Sequence, residues 1–225
     1  SRLAVRAGNR EAEAALQRAA ALATDSTLKA EVELFRARGL LSRGRISEAK
    51  TLLEKAGGRL SDDHPRLAAR IAMELGVLYW YLGDFLASVS RYEEALAAAQ
   101  RGGWSRLMAR ALAGRGVLRL CRGHLSLADE DLREAVKAFA LAGDRSSMWQ
   151  SLGNLGDILR RKGSFTESLA LLDGELSAVR EGGNWIRQAL FVLNLAETEV
   201  ELHRLGRARE RIEELTGDMD FQEHL

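Results

Sequence analysis

The chain has 225 residues, with 33 Lys and Arg against 32 Asp and Glu, and it is 46% hydrophobic and 29% charged, a balance that excludes disordered and collagen-like chains. A formal net charge of +1 creates no long-range field to recruit nucleic acid or an acidic membrane, and no uncharged stretch reaches the about 18 residues of a membrane span. One proline and 6% aromatics, against abundant Ala, Leu, Glu and Arg, predict an all-helical fold, because most of these residues lose little freedom in a helix.

In chain order, the stretch from Gly8 to Ala23 reads as the second helix of a truncated first unit, and residues 36–56 (RARGLLSRGRISEAKTLLEKA) read as two helices joined at Gly44. The next unit, ELGVLYWYLGDFLASVSRYEEA from Glu74 to Ala95, returns as GRGVLRLCRGHLSLADEDLREA from Gly114 to Ala135 and NLGDILRRKGSFTESLALLDGE from Asn154 to Glu175. Glycines 76, 116 and 156 are spaced by 40 residues, as are 83, 123 and 163, and a fixed period of this size marks a solenoid. A degraded copy follows from Leu193 to Leu215, where Gly206 takes the turn position after about three extra residues, which predicts a first helix one turn longer.

Each copy reads as two antiparallel helices. Leu75, Tyr79 and Leu82 lie on one face at amphipathic spacing. Gly83 closes that helix in the left-handed conformation and Asp84 caps the next. Ser164 with Glu167 has the form of a capping box, and Pro65 stands where a first turn tolerates it. Gly76, Gly116 and Gly156 lie inside helices, where each costs about 1 kcal/mol relative to Ala; a neighbouring helix backbone passing too close for a methyl group would explain all three. Ala49, Ser88, Ala128 and Ser168 supply the matching small residues on the second helices. The expected layout is one repeat domain over 1–225: a partial repeat over 1–27, repeats over about 28–64, 65–104, 105–144, 145–184 and 185–216, and a tail over 217–225.

Leu75-Gly76, Tyr79, Gly83-Asp84-Phe85, Ser88, Tyr92 and Ala95 resemble the pattern of the tetratricopeptide repeat, and the resemblance extends over roughly residues 28–216. The period near 40 is similar to the long-period arrays of bacterial MalT-like regulators, Rap-type peptide sensors and LGN-type scaffolds. The resemblance implies a right-handed superhelical solenoid of antiparallel helix pairs whose first helices line a concave groove for a protein or peptide segment, helical or extended. Carried over position by position, the groove residues are Arg70, Glu74, Val77, Trp80 and Tyr81; then Arg110 and Val117; then Gln150, Asn154, Asp157 and Arg161; then Asn194 and Glu197. Asn154-Leu155-Gly156-Asp157 and Asn194-Leu195-Ala196-Glu197 resemble the N-L-G-N string of long-period groove helices, with Asp157 and Glu197 in place of the second Asn. The two Asn residues serve either generic groove polarity or recognition of a ligand backbone, since an amide both donates and accepts. The two acids favour a cationic or mixed ligand segment.

Arg115 and Arg119 stand where packing residues are expected, so their heads either reach solvent, pair with Asp129, Glu130 or Asp131, or form an anion site. Phe35, Trp80 and Tyr81 make either an aromatic end of the groove or packing contacts. His64, His124, His203 and His224 are scattered, and neither a metal-ligand spacing, a phosphate loop nor a nucleophile elbow is present. No cofactor, metal or catalysis is therefore expected. The lone Cys121 permits no intramolecular disulfide and suits a reducing, cytoplasmic compartment. Arg outnumbers Lys, which occurs only at 29, 50, 55, 137 and 162, and the chain starts at Ser1 rather than Met. The reading is a module of a larger bacterial signalling or regulatory protein, with a small-ligand sensor or a self-association module as the alternatives.

Overall fold

The computed structural model describes residues 14–19, 21–60 and 63–217, so the expectations for residues 1–13 and for 218–225 lie outside the described residues. Residues 14–19 and 21–22 are helical. Ten further helices follow: α1 (Ser26–Leu41), α2 (Ile46–Gly57), α3 (Pro65–Tyr81), α4 (Phe85–Arg101), α5 (Ser105–Cys121), α6 (Leu125–Leu141), α7 (Arg145–Arg161), α8 (Phe165–Glu181), α9 (Trp185–Glu201) and α10 (Leu205–Gly217). No strand occurs among the described residues. The fold is all-α and built of antiparallel helix pairs.

The 40-residue period has a simple origin. From α3 to α9 every helix has 17 residues, and every turn between them has three. In each turn the middle residue is left-handed: Gly83 (φ 76°), Gly103 (66°), Gly123 (77°), Gly143 (66°), Gly163 (78°) and Gly183 (65°). The Asp84 amide donates to the Tyr79 carbonyl and the Gly83 amide to that of Trp80, both at 2.9 Å. This paired closure satisfies carbonyls that a helix end otherwise orphans. The following residue then starts the next helix where it is Asp or Asn: the Asp84, Asp144 and Asn184 side chains accept from the amides of Ala87, Ser147 and Arg187 at 3.0, 3.1 and 3.1 Å, each cap contributing about 1 kcal/mol.

Three expectations are corrected. The first helix of the last copy is not longer: α9 has the same 17 residues, and the left-handed turn position is His203 (φ 58°), with Gly206 inside α10. The Ser164 side chain makes no cap hydrogen bond, and no box closes from the other side either, since the Ser164 amide donates to the Leu159 carbonyl at 2.9 Å and the Glu167 carboxylate pairs with Arg133 on α6 at 2.8 Å. The helix-interior glycines make room for side chains of the paired helix rather than its backbone. A methyl on Gly76 would meet the Tyr92 ring at 3.1 Å, and one on Gly116 or Gly156 would meet Leu132 or Leu172. The small residue of the second helix approaches the backbone itself: Ser88 Oγ donates to the Gly76 carbonyl at 2.7 Å and Ser168 Oγ to that of Gly156 at 2.9 Å.

Two compact units divide the chain at Gly114, within α5. The N-terminal unit has its core in Leu34, Leu40, Leu53, Leu67, Ile71 and Leu78. In the C-terminal unit the core is built from Trp149, Leu152, Leu172, Leu176, Phe191 and Leu195. Both cores draw alternately on first and second helices. The opposite stripe of each first helix is thereby left for polar residues.

Candidate functional site

In the N-terminal unit the polar stripe of the first helices is a ladder of ion pairs. Arg70 of α3 reaches Glu31 of α1 at 3.0 Å and lies over the Phe35 ring, 5.4 Å from its centroid. One turn further on, Glu74 is buried and takes Arg38 of α1 at 3.2 Å and Arg110 of α5 at 3.5 Å. Burial raises the Glu74 carboxyl above its usual range, and the attraction of Arg38 and Arg110 only partly offsets this. The same desolvation lowers Arg110. Leaving water disfavours the charged form of each partner.

Arg70, Glu74, Val77 and Tyr81 recur at i, i+4, i+7 and i+11, so they form one stripe along α3. Val77 is half-buried and Tyr81 exposed. Trp80 stacks on Tyr81 with ring centroids 6.1 Å apart. The charges of this stripe are thus spent largely within the protein. Its aromatic end remains accessible.

In the C-terminal unit Gln150, Asn154, Asp157 and Arg161 occupy the same spacing on α7. Gln150 and Arg161 are exposed, while Asn154 and Asp157 are half-buried. Asp157 accepts from Arg160 at 2.6 Å and from Arg161 at 3.0 Å, and Arg160 also meets Glu197 of α9 at 2.8 Å. Asn194 lies inside the packing: it is buried, and its Nδ2 donates to the Gly153 carbonyl at 2.9 Å, tying α9 to α7. Val117 is half-buried.

Arg115 and Arg119 converge on Asp131 of α6. Arg115 makes a two-pronged pair with that carboxylate at 2.7 and 3.0 Å, and Arg119 adds a bond of 2.8 Å. Asp131 is buried, and the two arginine side chains are only 15% and 18% exposed. A buried carboxylate held by two guanidiniums is the arrangement that inward arginines require.

Among the described residues no group of three or more His, Cys, Asp or Glu is placed to hold a metal ion, and no helix is long and apolar enough to cross a membrane. Sequence reasoning missed one feature, an open hollow between α9 and α10 lined by Leu193, Ala196, Val200, Ala208 and Ile212. Its signal was present in the apolar residues that the last copy keeps on its outward register.

No protein-family pattern matches the sequence, and no curated protein matches it. Solved structures do. BtubC (BKLC) from P. vanneervenii superposes with a TM-score of 0.75 at 18% identity, over 93% of this chain and 87% of that one. A putative kinesin light chain of Podospora anserina with nearly identical TPR-like repeats gives 0.70 at 18%, over 87% and 97%. The Rap conjugation gene regulator of plasmid pLS20, solved with the Phr* peptide, gives 0.65 at 20%, over 88% of this chain and 56% of the regulator. These likenesses establish a TPR-like repeat fold.

Proposed function

We propose that the chain is a protein- or peptide-binding scaffold that holds its partner on the first-helix faces, and that it acts as a non-enzymatic module of a larger cytoplasmic signalling or regulatory protein of bacterial origin. The observation that carries this reading is the α7 stripe of Gln150, Asn154, Asp157 and Arg161, where Gln150 and Arg161 are exposed and Asn154 and Asp157 half-buried along one helix face. Preorganised polar groups bind an extended or helical segment without first being ordered. The likeness to a Rap regulator solved with a peptide supports the same use. Tyr81, together with Trp80, offers an aromatic anchor on the N-terminal unit. The anion-site alternative has less support, because the carboxylate of Asp131 already stands between Arg115 and Arg119.

The test is selection of peptides from a displayed library against the intact chain, followed by affinity measurements on Gln150→Ala/Asn154→Ala and on Tyr81→Ala. A selected peptide should lose about ten-fold or more in affinity with one of these variants, at unchanged melting temperature. If no peptide is enriched, or if both variants bind as the parent does, the first-helix reading fails. Asn194→Ala is unsuitable for this purpose, since it also removes a packing hydrogen bond.

A further inference from the structure

Three arginines on the first helices of the N-terminal unit gather around one carboxylate. The Glu74 side chain is buried in the middle of α3, and its Oε1 is met by Nε of Arg38 on α1 at 3.2 Å and by Nη2 of Arg110 on α5 at 3.5 Å. Both cations approach the same atom, so their guanidiniums lie next to one another. Arg70 stands one turn before Glu74 and pairs with Glu31 at 3.0 Å. Its charge reaches Glu74 and Arg110 as well: desolvation, and then repulsion by Arg38 and Arg70, lower Arg110 against the pull of Glu74. First helices flank α3 on both sides, so this face is complete within the unit.

The arrangement differs from that of Arg115 and Arg119 on Asp131. There three bonds of 2.7, 2.8 and 3.0 Å engage both carboxylate oxygens. Around Glu74 the closest approaches are longer, and the side chains of Arg38, Arg70 and Arg110 are 43%, 27% and 36% exposed. A guanidinium carries five N–H donors, and arginines this accessible keep donors for a ligand. The charges do not balance either, since three cations face only Glu74 and Glu31. One positive charge is left over, and two when Glu74 is protonated, the form that its burial favours.

A compact dianion with several oxygens answers that surplus. A phosphate group offers an oxygen to each guanidinium, whereas a carboxylate brings one charge and two oxygens in a plane. A hollow of about 650 Å³ adjoins the cluster at Arg70 and Glu31 and is lined further by His64, Arg66 and Trp104. It has room for the rest of a ligand.

We propose that Arg38, Arg70 and Arg110 form a binding site for the dianionic phosphate group of a phosphorylated ligand. The site gives a ligand chemistry to the first-helix face of the N-terminal unit and does not depend on the α7 stripe. A phosphate placed above a carboxylate is repelled by it, so Glu74 takes up a proton as the anion binds. The other groups about Glu74 are Arg38 of α1, Arg70 with its partner Glu31, Tyr92 of α4 and Arg110 of α5. The arginines stay charged, and burial, with Glu74 adding to it, keeps the Tyr92 hydroxyl protonated.

The test is an NMR titration of the full chain with sulfate at constant ionic strength, because sulfate remains a dianion while phosphate gains a proton near pH 6. Sulfate should shift α3 and α5 resonances saturably, and more tightly at pH 5 than at pH 7. Glu74→Gln should tighten sulfate about ten-fold at pH 7 and abolish the pH dependence, a gain that loss of structure does not produce. Arg110→Gln added to Glu74→Gln should weaken sulfate ten-fold or more in a chain whose spectrum stays folded. No saturable shift in parent or Glu74→Gln, no gain in Glu74→Gln, or indifference to Arg110→Gln overturns the proposal. An eight-residue phosphoserine peptide is then compared with inorganic phosphate and with its Ser and Glu counterparts. Tighter binding than phosphate supports the site with a phosphorylated protein segment as the source, and equal binding supports it with a small phosphate compound. Ser or Glu peptides that bind as well as the phosphoserine peptide overturn it. Peptides selected on Gln150 and Asn154 would survive that failure, so the two readings fall separately.

Discussion

The α3–α4 pair of the N-terminal unit and the α9–α10 pair of the C-terminal unit stand 120 residues apart in register, and their matching positions solve the same problems differently. Where α3 buries the Glu74 carboxylate among arginines, α9 buries the Asn194 amide on a neighbouring carbonyl. Where Gly76 leaves room for the Tyr92 ring, Ala196 faces a register whose second-helix residue is the smaller Ile212. Gly83 and His203 both close their helices from the left-handed region. The backbone plan is the constant; volume and polarity are traded between partner positions, as a close-packed interior demands.

The sharpest way to break this equivalence is at the buried polar position. Asn194→Ala should cost about 1–3 kcal/mol, because it leaves the Gly153 carbonyl without its donor; urea unfolding would measure it, and a neutral result would show that water takes the donor's place. Next in size is the turn. His203→Gly should stabilise the chain by about 1–2 kcal/mol by relieving a side chain held at φ 58°, with a rise in melting temperature as the readout. Ala196→Gly should cost about 1 kcal/mol, the price of glycine in a helix interior. Gly76→Ala gains that propensity but must displace a ring at 3.1 Å, so its net effect in the same unfolding assay should be smaller than that of Ala196→Gly.

The smallest effect separates the two buried groups by pH. Glu74 binds its proton more tightly in the folded chain than in the unfolded one, because burial raises its pKa. Stability from that proton is fully present below the ordinary carboxylate range, about pH 4.3, and is lost as the pH rises through the raised folded value. Melting temperature followed from about pH 4 to 7 should therefore fall for the parent relative to Glu74→Gln. A difference of the opposite slope would show that Arg38 and Arg110 outweigh burial.

Much of the fold was legible because the repeat is written in backbone-determining residues. Gly83, Gly123 and Gly163 occupy left-handed turns, and Asp84 caps a helix, and these are local requirements that a residue type meets by itself. His203 carries no such mark, being a non-glycine residue at a left-handed turn. The glycine of this copy, Gly206, lies inside α10, while the constant step of 40 from Gly163 leads to 203, where helix length rather than residue type decides the turn.

The candidate site was less legible. The stripe spacing of Gln150, Asn154, Asp157 and Arg161 could be counted, but burial could not: Asn154 and Asn194 share one motif position, and only the latter is buried on a neighbouring carbonyl. Ser164 and Glu167 had the spacing of a capping box, yet Ser164 makes no cap bond, its amide serves the Leu159 carbonyl of the preceding helix, and Glu167 pairs with Arg133 on another helix.

By itself the sequence determined helical content, the period, the turn positions marked by glycine and the pairing of first with second helices, since these follow from local conformational preference and apolar spacing. Only the tertiary structure decided that Asp131 takes both Arg115 and Arg119, that Asn194 is a packing residue, and that Leu193 and Val200 remain in water. Such outcomes depend on which side chains converge from helices distant in sequence and on how much solvent is left between them, and neither quantity is a property of any one segment.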